Sequence, residues 1–234
     1  MLEINKIYNE DSYKLIKQID DKSVDLVIID PPYSMRKKTD EFNKLSIAVK
    51  KCNKELAKAN LIDDYDKNIL KELDRVMKKT NIYIWSNGEQ IPYYIDYYVN
   101  ERKCKFDILI WNKTNAMPLF NNKYLTDKEY CLYFRKGGYC NPKNYQDGKT
   151  VFYLPINIKD KKKWNHPTIK PLSIIRTLIR NSSKENDLVL DCFLGSGTTA
   201  VASKIEDRNY IGIEMNNEFY NTAIKRLSGG NDEF

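Results

Sequence analysis

Residues Leu188 to Ala200 read LVLDCFLGSGTTA. A short apolar run ends in an acid, a turn with two glycines follows, and helix-forming residues resume at Thr198. A second apolar run, Tyr210 to Ile213, comes after that helix and ends at Glu214. Strand, turn, helix and strand in this order make one β-α-β unit, which requires two parallel strands and a crossover helix. The same alternation runs through most of the chain. Leu2 to Tyr8, Val24 to Ile29, Ile82 to Trp85, Phe106 to Trp111 and Tyr130 to Phe134 are further strand-length runs, about seven with the two above. Val24 to Ile29 is continuously apolar, as a strand covered on both faces must be. Between the strands lie helical stripes. Asp11 caps a helix carrying Tyr13, Leu15, Ile16 and Ile19; Phe42, Leu45, Val49, Cys52, Leu56 and Ala59 share one face; Tyr65, Ile69, Leu73 and Val76 share another. Helices from Pro171 to Arg180, from Thr198, and to Leu227 complete the pattern. The expectation is an α/β fold, a three-layer sandwich, in one domain spanning 1–234. The segment 112–164, rich in Asn, Lys, Tyr and Pro, has little periodicity and reads as irregular.

The glycine turn and Glu214 suit a nucleotide-like ligand. Gly195 and Gly197 allow close backbone approach, and the helix start at Thr198 offers N–H groups to an anion. A Walker loop is excluded, because Thr198-Thr199 follow Gly197 where Lys then Ser/Thr is required. A dinucleotide site stays open, since Ala200 occupies the third glycine position as a permitted variant. Glu214, at the end of the next strand, can accept hydrogen bonds from ribose hydroxyls.

A second corner lies at Asp30-Pro31-Pro32-Tyr33, directly after the Val24 to Ile29 strand. Neither proline has an N–H for a sheet ladder, so the strand stops and presents Asp30 and Tyr33 at its end. Arg36, Lys37 and Lys38 follow, and a second cationic run, KDKKK, covers Lys159 to Lys163. Each cluster reads either as a solvated loop or as a phosphate contact. The net charge of +7 points weakly to a polyanion such as nucleic acid, and equally to a lysine-rich soluble chain.

The other composition features set exclusions. The five cysteines (Cys52, Cys104, Cys131, Cys140 and Cys192) include no C-x-x-C pair, which favours reduced, mostly buried thiols. One histidine, His166, disfavours a histidine metal site or a Ser-His-Asp triad, so no metal is expected. No apolar run reaches the roughly 18 residues of a membrane span, and MLEINKIYNEDSYK lacks a signal-peptide layout. A cytoplasmic location with no membrane partner is expected.

In order and spacing these motifs resemble the exocyclic-amino DNA methyltransferases that use S-adenosylmethionine, in particular the β class. Its D-P-P-Y is Asp30-Pro31-Pro32-Tyr33, and its D-x-F-x-G-S-G-T is Asp191 to Thr198. Its H-P-T-x-K-P is His166 to Pro171, and its W-x-K is Trp111-Asn112-Lys113. Its acid and apolar strand ending in Lys-Gly is Glu129 to Gly137. The resemblance covers Ile4 to Leu227, with Glu10 where the family has glycine before the acid Asp11. It implies a Rossmann-like, seven-stranded mixed sheet with one antiparallel strand and a permuted motif order. The implied cofactor is S-adenosyl-L-methionine, with Asp11, His166, Thr168, Lys170, Asp191, Phe193, Gly195, Ser196, Gly197, Thr198 and Glu214 as binding residues. Within that set, Thr168 and Lys170 are placed to contact the methionine carboxylate.

The implied reaction is site-specific methylation of adenine N6 in double-stranded DNA. Asp30 and the Pro31 carbonyl would accept the two N–H bonds of the target amino group, and so favour a pyramidal nitrogen with a localised lone pair. The prolines stiffen that acceptor pair. The base must be flipped out of the duplex, and Tyr33 would stack on it. Pro32 completes the catalytic set. Arg36, Lys37, Lys38, Lys161, Lys162 and Lys163 are the candidate DNA contacts, with 112–164 as the target-recognition region. A homodimer and a cognate restriction endonuclease are further partners to test. Cytosine-N4 methylation, RNA-base or protein-glutamine methylation, and an inactive nucleic-acid-binding module are the competing readings.

Overall fold

The computed structural model describes residues 2–32, 66–116, 124–164, 166 and 168–229. Its centre is a sheet of β1 (Lys6–Tyr8), β2 (Leu26–Ile29), β3 (Thr80–Ser86), β4 (Lys105–Lys113), β5 (Lys128–Lys136), β6 (Val151–Leu154), β7 (Leu188–Asp191) and β8 (Asn209–Ile213). The strand order is β1-β8-β7-β2-β3-β5-β4-β6. β5 pairs antiparallel with both β3 and β4, and every other pairing is parallel. All seven expected strands are present, with the one antiparallel strand. The eighth, β6, was not expected. It lies in the segment 112–164, which supplies β5, β6 and a short helix rather than being irregular throughout. VFYL is too short for a periodic signal, and among the described residues it pairs only with β4, in parallel, along the sheet edge.

The helices are α1 (Ser12–Leu15), α2 (Ile69–Val76), α3 (Ile91–Ile95, continued by a π-helical stretch Asp96–Glu101), α4 (Ile158–Lys163), α5 (Leu172–Ser182), α6 (Thr198–Ile205) and α7 (Asn217–Ser228). Two core layers sandwich the sheet. Val27 and Ile29 of β2 pack with Ile69, Leu73 and Val76 of α2 and with Tyr94 of α3. Leu26 and Ile28 point to the other face, against Ile174, Ile175 and Leu178 of α5. This alternation explains why β2 is apolar at every position. The stripe Ile69, Leu73, Val76 is buried as expected. Tyr65 and the stripe from Phe42 to Ala59 lie outside the described residues. Cys104, Cys131 and Cys192 are buried thiols and Cys140 is partly buried.

β2 and β7 are neighbours, yet their onward connections diverge. The chain leaves β7 through α6 to β8 on one side, and leaves β2 through α2 to β3 on the other. In open α/β sheets such a switch point leaves a crevice outside the carboxyl ends of the strands. Asp30, Asp191 and Glu214 stand at those ends.

Candidate active site

A cavity of about 490 Å³ opens at this switch point. It is bounded by the ends of β2, β7 and β8, by the start of α1 and by the segment before α5. Among the sequence-predicted residues, Asp11, Asp30, Pro32, His166, Thr168, Lys170, Asp191, Phe193, Gly195, Ser196, Thr198 and Glu214 line it. Pro31 is buried. Tyr33, Arg36, Lys37 and Lys38 lie outside the described residues.

The glycine turn is held from below as well as shaped from within. Asp191 is buried, and its carboxyl accepts from the Phe193 N–H at 3.0 Å and the Thr199 hydroxyl at 2.6 Å. Burial pushes its pKa up to about 7, against the pull of those two donors. Gly195 has φ +55°, and a Cβ there would stand 3.0 Å from His166 Nε2. Gly197 has φ +85°, and a Cβ there would meet the Ala223 Cβ of α7 at 2.8 Å. The first glycine therefore keeps room for His166, and the second lets α6 and α7 touch.

Glu214 joins two turns. Its carboxylate accepts from the Gly195 N–H and from the Asn216 N–H, both at 2.7 Å. Burial raises its pKa, while those two N–H groups lower it. A carboxylate has about four acceptor sites, so two remain in capacity for hydroxyl donors.

His166 is buried and packs on Phe219, with ring centroids 4.3 Å apart. Its Nδ1 accepts from the Thr168 N–H at 3.2 Å, which assigns the proton to Nε2. Nε2 is buried with no hydrogen-bond partner among the described residues. Burial, then the Lys170, Arg226 and Lys161 charges, bring its pKa down to about 3, so the ring is neutral.

Asp11 caps α1, accepting from the Tyr13 N–H at 2.9 Å. Glu10, where the resemblance led to expect glycine, accepts from the Asp11 N–H at 2.9 Å. The Ser12 hydroxyl donates to the Cys192 carbonyl and so ties α1 to the turn after β7.

Asp30 and Lys170 meet directly. The Lys170 ammonium, only 6% exposed, donates to Asp30 Oδ2 and lies 3.3 Å from Glu129 Oε2. Its expected role is contact with the methionine carboxylate; in the structure it lines the cavity and pairs with two carboxylates of the protein. Burial works against the ammonium, but Asp30 and Glu129 raise its pKa and keep it charged.

Two residues had escaped the sequence reading. Arg226 of α7 is buried beneath the glycine turn. Its Nη1 donates to the Ser196 carbonyl at 2.9 Å and to the Ser196 and Thr198 hydroxyls at 3.0 Å. Both hydroxyls thus have an internal partner, while Ser196 and Thr198 also line the cavity. The signal was available: Phe219, Ala223 and Arg226 recur at helical spacing, which puts an arginine on an apolar stripe. Trp85 of β3 also lines the cavity, its ring 5.2 Å from Lys170 Nζ.

Residues 24–225 match a family model described as DNA methylase. The chain belongs to the DNA methylase family. It is 33% identical to the Type II methyltransferase M.HinfI of Haemophilus influenzae, over 96% of this chain and 68% of that protein. It is 31% identical to the Type II methyltransferase M2.LlaDCHI of Lactococcus lactis subsp. cremoris, over 96% and 89%. The crystal structure of the M1.HpyAVI–SAM complex superposes with a TM-score of 0.67 at 29% identity, covering 95% of this chain and 99% of that one. This DNA methylase thus presents Asp30-Pro31-Pro32 and the glycine turn at the ends of adjacent strands.

Proposed function

We propose that this DNA methylase transfers the methyl group of S-adenosyl-L-methionine to N6 of an adenine flipped out of double-stranded DNA, and that the Asp30 corner holds the amino group. The observation that carries the reading is the meeting of Asp30 and Glu214 in one cavity, with a charged lysine holding Asp30.

The cavity fits the cofactor. A half-buried carboxylate at Glu214, a neutral His166 with an unmatched Nε2–H and a side-chain-free Gly195 suit hydroxyl donors, an anionic acceptor and close backbone approach respectively. Glu214 would take the ribose hydroxyls, and His166 with Thr168 the carboxylate. Bound there, the cofactor supplies a methyl group on a positively charged sulfur. Asp30 and the Pro31 carbonyl accept from the amino group, and an ionised carboxylate is the stronger acceptor. No covalent link to the chain is required.

Asp30, where the cytosine-N4 group more often has serine, favours adenine over cytosine. The likeness to Type II methyltransferases supports a defined recognition sequence, a cognate restriction endonuclease and cytoplasmic action. Among the described residues no helix is long and apolar enough to cross a membrane. The reading assigns target recognition to 112–164; the exposed Tyr124, Tyr145 and Tyr153 and the α4 lysines support it. The homodimer is a matter for sedimentation.

Asp30→Ala tests the reading. Methyl transfer from labelled cofactor to DNA is expected to fall by at least about 10², with cofactor and DNA affinity largely kept. Near-normal turnover would remove the corner from the active site.

A further inference from the structure

Two motifs stand outside the chemistry described so far: Lys113 of W-x-K, and Glu129 at the start of the Glu129 to Gly137 strand. The structure brings both to Asp30. Lys113 Nζ lies 2.6 Å from Glu129 Oε1, and Glu129 Oε2 lies 3.3 Å from Lys170 Nζ, which donates to Asp30. The result is one row of alternating charge: Lys113, Glu129, Lys170, Asp30. Exposure of these side chains runs from 6% at Lys170 to 25% at Asp30.

The fold builds this row. β5 is the one antiparallel strand, so its first residues arrive at the edge where β2, β3 and β4 end. Side chains alternate along each strand. Asp30 continues the row of Leu26 and Ile28, Lys113 that of Leu109 and Trp111, and Glu129 that of Cys131 and Tyr133. All of these neighbours belong to the core layer on the α5 side. Lys170 reaches across Trp85 on the strand between β2 and β5.

We propose that Glu129 and Lys113 are positioning residues for methyl transfer, acting through Lys170 to hold Asp30 ionised and in one orientation. The proposal rests on the reading of Asp30 as the amino-group acceptor. Two carboxylates around one buried ammonium leave a net negative charge, and such a pair draws a proton. A protonated Asp30 has lost acceptor capacity and offers an O–H instead. Lys113 supplies the second positive charge, so the row is balanced, two positive groups against two negative. Glu129 is held well below the usual carboxylate range, at about 2: burial opposes this, and Lys170 and Lys113 outweigh burial. Glu129 in turn fixes the Lys170 ammonium from the side away from Asp30. Without it, Lys170 keeps its contact with Asp30 but has Lys113 as an uncompensated positive neighbour that pushes it from its place.

The test is single-turnover methylation of DNA by the full chain, with Asp30→Ala, Glu129→Gln, Lys113→Met and the double variant in parallel. Each positioning variant is expected to lower the methyl-transfer rate by about 10- to 100-fold, the range for displacing a reacting group by about 1 Å. Cofactor Kd and the KM for DNA are expected to stay within about threefold. The double variant removes one positive and one negative charge together. It is expected to react faster than the product of the two single effects, because a neutral Lys170–Asp30 pair remains. Wild-type rates in both single variants, or purely additive losses in the double, overturn the proposal. So does a loss confined to KM or to thermal stability. Should Glu129→Gln not fold, Lys113→Met at the outer end of the row carries the rate test alone. An inactive Asp30→Ala beside unaffected positioning variants leaves the active-site reading standing and this proposal refuted. A fully active Asp30→Ala refutes the active-site reading itself.

Discussion

Asp191 is a carboxyl group held away from water under the glycine turn, with a pKa raised by burial to about 7. An unfolded aspartate titrates near 3.9. The folded state therefore binds this proton more tightly than the unfolded state, and the stability it contributes is complete below about pH 4. That contribution is lost as pH rises to about 7, a difference of order 4 kcal/mol. Asp191→Asn keeps an acceptor for the Phe193 N–H and lets the Thr199 hydroxyl accept instead of donate. The cofactor-free variant is expected to melt higher than wild type at pH 8 and to lose the advantage at pH 4. Melting curves with parallel pH slopes would count against this account of Asp191. Glu214 answers to a different test, because both its oxygens receive backbone N–H groups. Glu214→Gln turns an amide donor toward one of them and removes the charge. Cofactor affinity by calorimetry is expected to fall by about 10- to 100-fold, the effect of losing charge-assisted hydrogen bonds worth about 1.5–3 kcal/mol each. Unchanged affinity would take Glu214 out of the site.

At the level of elements, α7 serves as the support of the cofactor turn. Gly197 and Ala223 set the contact between α6 and α7, and Arg226 fills the space beneath Ser196 and Thr198. Arg226→Met leaves three buried oxygens without this donor, each costing about 1–3 kcal/mol if unmet. Expected outcomes are a lower melting temperature and cofactor binding weakened by about tenfold, although Arg226 itself lies under the turn. An unaffected Kd in a folded variant would reduce Arg226 to packing. Strands such as β2 and β7 were legible because a sheet covered on both faces demands continuous apolar runs. The two motif corners were legible because prolines and positive-φ glycines leave few backbone options. The partners of Lys170 were not, since Asp30 and Glu129 reach it only through the strand order and the reversed direction of β5. The contact of Ser196 and Thr198 with Arg226 was hidden for a similar reason: a hydroxyl in a glycine turn looks the same with or without a buried arginine beneath it.

The whole molecule joins a switch-point cavity to a lysine-bearing helix at its rim. The net charge of +7 suits a polyanion, and α4 places Lys161, Lys162 and Lys163 in its last turn. α4 has no buried residue, and the Lys161 carbonyl accepts from the His166 N–H, so the helix stands directly beside the cofactor cavity. On the proposed reading, a duplex that delivers a flipped base to Asp30 brings its phosphates toward this rim. Phosphate contacts release counterions, so affinity falls with salt at a slope set by their number. Replacing Lys161, Lys162 and Lys163 together by Ala is expected to weaken binding to every sequence alike. The slope of log affinity against log salt is expected to flatten by up to about 2–3. Specificity between recognition and non-recognition duplexes is expected to stay the same, because phosphate contacts position the protein without reading bases. Fluorescence anisotropy across a salt series measures both quantities. An unchanged slope makes α4 a solvated helix, and a selective loss on the recognition sequence makes these lysines readers of bases instead.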